Sequence, residues 1–162
     1  MLAVRFAALA ALVVWLGGMI VLGLLVAPST FGVLGAADPQ GGRALAGAVF
    51  GETLRRFHLL AYGCGAVVFV SLFVLKFVGP PPQAFVARAS IVAVMLALAL
   101  YSGVPLTGEI EEIQSSAALP ISRLTENDPQ RVRFDSLHRL STTLMTINIG
   151  LGIVLLSWYV RE

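Results

Sequence analysis

Charge is missing from four long stretches of this chain. No Asp, Glu, Lys or Arg occurs in residues 6–27, 57–75, 89–106 or 140–160. At about 1.5 Å per helical residue, each stretch comes close to the ~30 Å hydrocarbon core of a bilayer. Charged residues make up only 12% of the chain and hydrophobic ones 57%, whereas a soluble domain carries roughly twice that share of charge. The sequence therefore predicts an integral membrane protein with four transmembrane helices.

Motifs of catalysis are also missing. The chain has no phosphate-binding loop, nucleophile elbow, Cys-x-x-Cys or His-Glu-x-x-His. Its single cysteine, Cys64, lies inside the second span and can form no internal disulfide. No acid or base lies at mid-membrane, where proton pumps and ion-coupled carriers normally need one. No basic cluster is larger than Arg55-Arg56, which argues against nucleic acid as a partner. We expect no enzymatic activity and no catalytic residue.

The connections between the spans alternate long, short, long within a single domain, 1–162. The short link contains Pro80-Pro81-Pro82, which cannot continue a helix, so spans two and three are antiparallel neighbours. In the long connections, Asp38-Pro39 and Asp128-Pro129 are each typical of a helix start. We therefore predict an all-α bundle of four transmembrane helices with amphipathic helical segments in the two long loops. The first segment is expected to run along the membrane interface and then turn into span two.

A weak internal echo is compatible with a duplication, although the two Asp-Pro-Gln triplets lie 90 residues apart. Pro28 precedes Arg56-Phe57 by 28 residues, and Pro105 precedes Arg133-Phe134 by the same interval. These pairs are 77 residues apart, but few other positions match at that offset.

The distribution of basic residues bears on orientation. With four spans both termini share one side, and that side carries Arg5, Lys76, Arg88 and Arg161 within few residues. The two long loops on the other side carry seven Lys and Arg, so the raw count of basic residues favours the loops and their density favours the termini. Because the first span usually dominates orientation and Arg5 flanks its start, we predict that both termini lie in the cytoplasm.

The two histidines are the sharpest candidates for a site. His58 begins span two and His138 lies just before span four. Because both spans start on the same side of the membrane, the two rings should lie at similar membrane depth. Such a pair could supply axial haem ligands or a metal site. Met145 follows His138 down one face of span four, and a histidine with a thioether suits copper(I). The simpler interpretation is ordinary interfacial hydrogen bonding, so no cofactor is expected and haem or copper is the alternative.

Four arginines, Arg55, Arg56, Arg133 and Arg139, cluster at the same membrane face. They are expected to contact lipid head groups, and a pocket for an anion or lipid phosphate is the alternative.

Small residues mark expected packing surfaces. Ala89, Ala93 and Ala97 form a stripe on span three, and Ala61-xxx-Gly65 lies on span two. Asn148, Thr146 and Ser141 of span four can hydrogen-bond across helices. Some of these residues could instead face a partner protein.

Several short motifs resemble one family over nearly the whole chain. The motifs are Trp15-Leu16-Gly17, Ala27-Pro28, Ala46-Gly47 with Phe50, and Leu137-His138-Arg139-Leu140-Ser141. They resemble the family typified by transmembrane protein 205, whose bacterial members form a domain of unknown function. That family is similar in layout to copper-resistance D-type membrane proteins and to the haem-binding four-helix protoporphyrinogen oxidase. The resemblance implies a bacterial inner membrane and a ligand role for His138, but span one contains no histidine.

The sequence thus favours a non-enzymatic protein that packs in the lipid bilayer, as a small helical subunit or scaffold of a larger membrane assembly. The alternatives are a haem- or copper-handling protein using His58 and His138, and a small-solute transporter.

Overall fold

A computed structural model describes residues 1–117 and 119–161. Its four long helices are each long and apolar enough to cross a membrane: α1 (Leu2–Ala37), α2 (Gly42–Val78), α3 (Phe85–Ser116) and α4 (Pro129–Arg161). Consecutive helices pack against each other and α4 also packs against α1, which closes a ring of four. The predicted all-α membrane bundle is confirmed.

The core of the bundle lies between the apolar parts of the four helices. Its fully buried side chains include a tryptophan and a methionine among aliphatic residues: Leu12, Trp15, Val68, Leu72, Val92, Met95 and Leu155. In a bilayer the outward faces of the same helices are apolar too, so exposed leucines and valines on them need no partner.

The helices are longer than a bilayer requires. With 32 to 37 residues each, they measure roughly 48–56 Å, against a hydrocarbon core of ~30 Å. The charged residues of α2, α3 and α4 lie mostly at the ends that meet the long connections. These ends, together with the end of α1 and the two long connections, are called the head, which consists of residues 28–56, 107–117 and 119–139.

The long connections are helical, as predicted, but the first is arranged differently. Helix α2 runs without a break from Gly42 through span two, so no separate helix turns at the interface. Asp38 caps a tight turn by accepting from the Gln40 N–H at 2.9 Å, and the helix begins four residues later. Gly42 lies so close to the Leu34 carbonyl that any side chain would collide, which explains the start at a glycine. Asp128 precedes α4 directly, as predicted.

Helices α1 and α3 each contain one π-helical turn beside a proline. The turns are Leu22–Val26, just before Pro28, and Ser102–Leu106, which contains Pro105. Proline has no N–H and its ring crowds the preceding turn, whereas a π-turn widens the helix locally. Both helices therefore continue past their proline into the head.

Candidate functional site

His58 is buried where α2 crosses the π-turn of α3. Its side chain is only 8% exposed, and its ring stacks on Tyr62 with centroids 6.1 Å apart. The Tyr62 hydroxyl donates to the Ala99 carbonyl at 3.3 Å. Both side chains lie against Gly103, where a Cβ would come within 2.7 Å of His58 Cγ. Glycine in the π-turn therefore allows two polar side chains to pack into the membrane part of the bundle.

His138 has different surroundings, on the outer face of α4. Its ring is exposed and lies parallel to that of Phe134, with centroids 6.2 Å apart. It borders an open groove of about 420 Å³ formed by α4 alone, with Arg139, Thr142, Thr143, Thr146 and Ile147. Each histidine thus stacks on an aromatic residue of its own helix, and the described structure shows no ring contact between the two.

Met145 faces inward, unlike His138 on the same helix. Its methyl group lies 3.2 Å from the position of a Cβ built on Gly23, inside the π-turn of α1. Among the described residues, no group of three or more His, Cys, Asp and Glu side chains converges as metal ligands. The geometry therefore separates His58, His138 and Met145 into three environments, and their roles toward haem or copper stay predictions.

Acidic partners accompany three of the four predicted arginines. Arg55 and Arg56 share Glu52 at 2.8 and 2.7 Å, while Arg133 of α4 pairs with Glu109 of α3. Arg139 borders the α4 groove. The arginines do lie in the head, but they are not gathered into one pocket. Their contact with lipid head groups or an anion stays a prediction.

Arg88 is a buried charged residue that was not predicted from the sequence to belong to a site. Only 1% of it is exposed, and its guanidinium donates to the Trp158 carbonyl at 3.1 Å. The guanidinium carbon also lies 5.8 and 5.3 Å from the ring centroids of Trp158 and Tyr159. In the sequence, Arg88 is one of the basic residues that indicate orientation. Trp158 and Tyr159 near the end of span four could have indicated its position, because aromatic rings at a membrane interface attract an arginine side chain.

Asn148 behaves as expected, and the alanine stripe does not. The Asn148 amide is buried and donates to the Met95 carbonyl at 3.1 Å, linking α4 to α3. Ala93 and Ala97 are exposed on α3, so the predicted close helix approach along that stripe is wrong within this chain. Gly65 does lie at a close approach, against Trp15 and Leu96.

Comparison with known families gives one match. A family model described as a domain of unknown function, DUF4149, matches residues 10–118, which is more than half of the chain. The protein belongs to the DUF4149 family. No curated protein and no solved structure matches it. The DUF4149 match includes His58 and the π-turns but ends before α4, and the resemblance to transmembrane protein 205 and copper-resistance D proteins stays a prediction.

Proposed function

We propose that this DUF4149 protein is a non-enzymatic helical subunit that binds another membrane protein through the outer face of α4. The observation that carries the proposal is a row of small residues there, Thr142, Thr146 and Gly150, all exposed. They are spaced four apart and so lie on one side of the helix. A Cβ built on Gly150 meets no atom within 4 Å, so this face is open.

Small residues favour association of helices in a membrane because they let two backbones approach closely. The hydroxyls of Thr142 and Thr146 donate to carbonyls of their own helix, at 3.0 and 2.9 Å. They therefore carry no unmet donor into lipid, and their oxygens can still accept from a partner helix. Helix α4 is also the least buried of the four spans, since only 17% of its apolar stretch is buried inside the bundle. These features support a partner helix lying along α4.

The proposal is tested by size analysis of the chain extracted from membranes in a mild detergent. The wild-type chain should elute in an assembly larger than its 17.1 kDa protomer in a micelle. Gly150→Leu should release it, because the added side chain separates the backbones. Val70→Leu, on the exposed face of α2, is the matched control and should stay assembled. A wild-type protein that elutes as a single protomer, or an assembly unaffected by Gly150→Leu, contradicts the proposal.

The orientation is proposed separately, with both termini in the cytoplasm and the head outside it. Arg5 near the start of α1 supports this orientation, since cytoplasmic flanks carry an excess of basic residues. In a Cys64→Ala background, Ser116→Cys places a thiol in the head. A membrane-impermeant maleimide should label it in intact cells. Labelling only after permeabilisation would reverse the orientation.

A further inference from the structure

The two halves of the chain share more than their helix count. The π-turns of α1 and α3 begin at Leu22 and Ser102, 80 residues apart. The buried faces of these two helices follow the same shift: Ala8, Leu12, Trp15, Met19 and Leu22 correspond to Arg88, Val92, Met95, Ala99 and Ser102. All ten residues are buried. The two helices therefore present the same positions to the bundle over about four helical turns.

Helices α2 and α4 correspond at a shift of 87 residues. They begin at Gly42 and Pro129, and the buried residues Ala61, Gly65 and Val68 correspond to Asn148, Gly152 and Leu155. The larger shift arises in the connection within each half. The chain crosses from α1 to α2 through residues 38–41, whereas α3 and α4 are joined by the longer segment 117–128.

Contacts at two glycines relate the halves in space. A Cβ built on Gly65 would collide with Leu96 of α3 and lie 3.0 Å from Trp15 of α1. A Cβ built on Gly152 would lie 3.1 Å from Leu16 of α1 and 3.4 Å from Met95 of α3. Leu16 and Trp15 correspond to Leu96 and Met95 at the shift of 80. Gly65 therefore contacts Trp15 of its own half and Leu96 of the other half. Gly152 contacts the corresponding residues, Met95 of its own half and Leu16 of the other half.

The π-turns show the same exchange. Gly103 in α3 lies against His58 of α2, and Gly23 in α1 lies against Met145 of α4. Gly23 and Gly103 differ by 80, while His58 and Met145 differ by 87. Reciprocal contacts of this kind, in which position i meets j and j meets i, are the signature of a twofold axis.

From these contacts we infer that the chain is a fused pair of helical hairpins, residues 2–78 and 85–161, related by a pseudo-twofold axis. The face between them is one self-complementary surface used twice, and the partner that it fits is a second hairpin of the same kind. The seam between α2 and α3 and the seam between α4 and α1 are thus the same interface. The weak echo that pairs Pro28 with Pro105 has an offset of 77. It therefore differs by three residues from the shift of 80 that relates α1 to α3.

The test is a circular permutant of residues 5–161, which includes all four charge-free stretches. A twofold axis makes the end of α4 as far from the start of α1 as the end of α2 is from the start of α3. A copy of residues 75–84 should therefore be long enough to join Arg161 to Arg5. The permutant starts with Met followed by residue 81, runs to Arg161, continues through the copied link to Arg5 and ends at residue 80. A second permutant with a long Gly/Ser linker accepts any placement of the ends and serves as the control.

Both permutants should insert and should unfold within about 5 °C of the wild type. Folding with the long linker alone would show that the ends are too far apart for a twofold relation. Failure of both permutants would show that the hairpins are not separable units. Either result overturns the inference.

A transposed hydrogen bond tests the register without changing the chain order. Ala61 corresponds to Asn148, whose amide donates to the Met95 carbonyl, and Trp15 corresponds to Met95. In the double variant Asn148→Ala/Ala61→Asn, the new amide should donate to the Trp15 carbonyl and recover most of the melting temperature lost by Asn148→Ala alone. The control pairs Asn148→Ala with Ala99→Asn. Ala99 is buried but corresponds to Met19 and not to Asn148, so this amide should recover nothing. Equal melting temperatures of the two double variants would overturn the register.

Discussion

The two hairpins have the same architecture but are held together by different interactions. In the first, Phe57 lies against Gly18, Trp15 lies against Gly65, and Phe31 packs on Phe50 with ring centroids 6.2 Å apart. In the second, polar groups link α3 to α4: Arg88 to the Trp158 carbonyl, Asn148 to the Met95 carbonyl and Arg133 to Glu109. Among the described residues, no side-chain hydrogen bond links α1 to α2.

This difference shows two ways of associating helices where lipid removes the hydrophobic driving force. Close packing at glycine gains dispersion contacts, while a polar side chain gains a hydrogen bond that lipid cannot offer. At three corresponding buried positions the first hairpin has Ala8, Leu22 and Ala61, and the second has Arg88, Ser102 and Asn148. The second hairpin should therefore be sensitive to loss of polar groups, and the first to added volume.

The largest effect is expected from Arg88→Met. The change removes the hydrogen bond to the Trp158 carbonyl and the stacking of the guanidinium on two rings, for a loss of about 2–4 kcal/mol. Arg5→Met makes the same chemical change at the equivalent end of the first hairpin and should change stability little. Unfolding in a graded detergent series measures both variants. Equal losses would mean that Arg88 does not hold α3 to α4.

The two corresponding glycines give the next largest effect. Gly65→Ala inserts a methyl group between Leu96 and the rigid Trp15 ring, and the overpacking should cost about 2–3 kcal/mol. Gly152→Ala meets the flexible ends of Leu16 and Met95, which can move by a few tenths of an ångström, so it should cost under about 1 kcal/mol. The thermal unfolding of the two variants is compared directly. A reversed order would show that Gly65 is not the more tightly packed of the two glycines.

Asn148→Ala should have a smaller effect of about 1 kcal/mol, typical of a hydrogen bond between helices in a membrane. Ser157→Ala is the control, because its hydroxyl donates to Val154 of the same helix at 2.7 Å. The difference between the two melting temperatures isolates the link to Met95. If Ser157→Ala destabilises the protein as much as Asn148→Ala, the link between helices contributes nothing.

The smallest effect concerns the turn of the first hairpin. The backbone N–H groups of Gln40 and Gly41 hold the pKa of the exposed Asp38 carboxyl below its ordinary value. A depressed folded pKa stabilises the protein above the unfolded pKa, so this contribution should be present at neutral pH and fade as the pH falls below about 4. Melting temperatures at pH 7 and pH 3 should differ less for Asp38→Asn than for the wild type. An identical pH dependence would exclude a role for the carboxylate.

Parts of the candidate site were accessible from the sequence, and the rest depended on neighbours. The charge-free stretches located four spans, and the prolines of the short link made two of them antiparallel. Asn148 was predicted to hydrogen-bond across helices, because a polar side chain inside a span gains from a partner on a neighbouring helix. The different surroundings of His58 and His138 were not predictable, because both residues lie near the start of a span on the same side of the membrane. The burial of His58 depends on Gly103, which lies 45 positions away.

The sequence by itself determined that the chain is a four-helix membrane protein, because the solvent requirement of a bilayer applies to each segment separately. A run of about 20 residues without charge meets that requirement whatever surrounds it. Only the tertiary structure decided that Arg88 is buried, that the two histidines face different ways and that the hairpins correspond at shifts of 80 and 87 residues. Those features depend on the rotation and axial shift of each helix against its neighbours. These are fixed by close contacts at a few glycines and by single hydrogen bonds, neither of which leaves a periodic trace in the sequence.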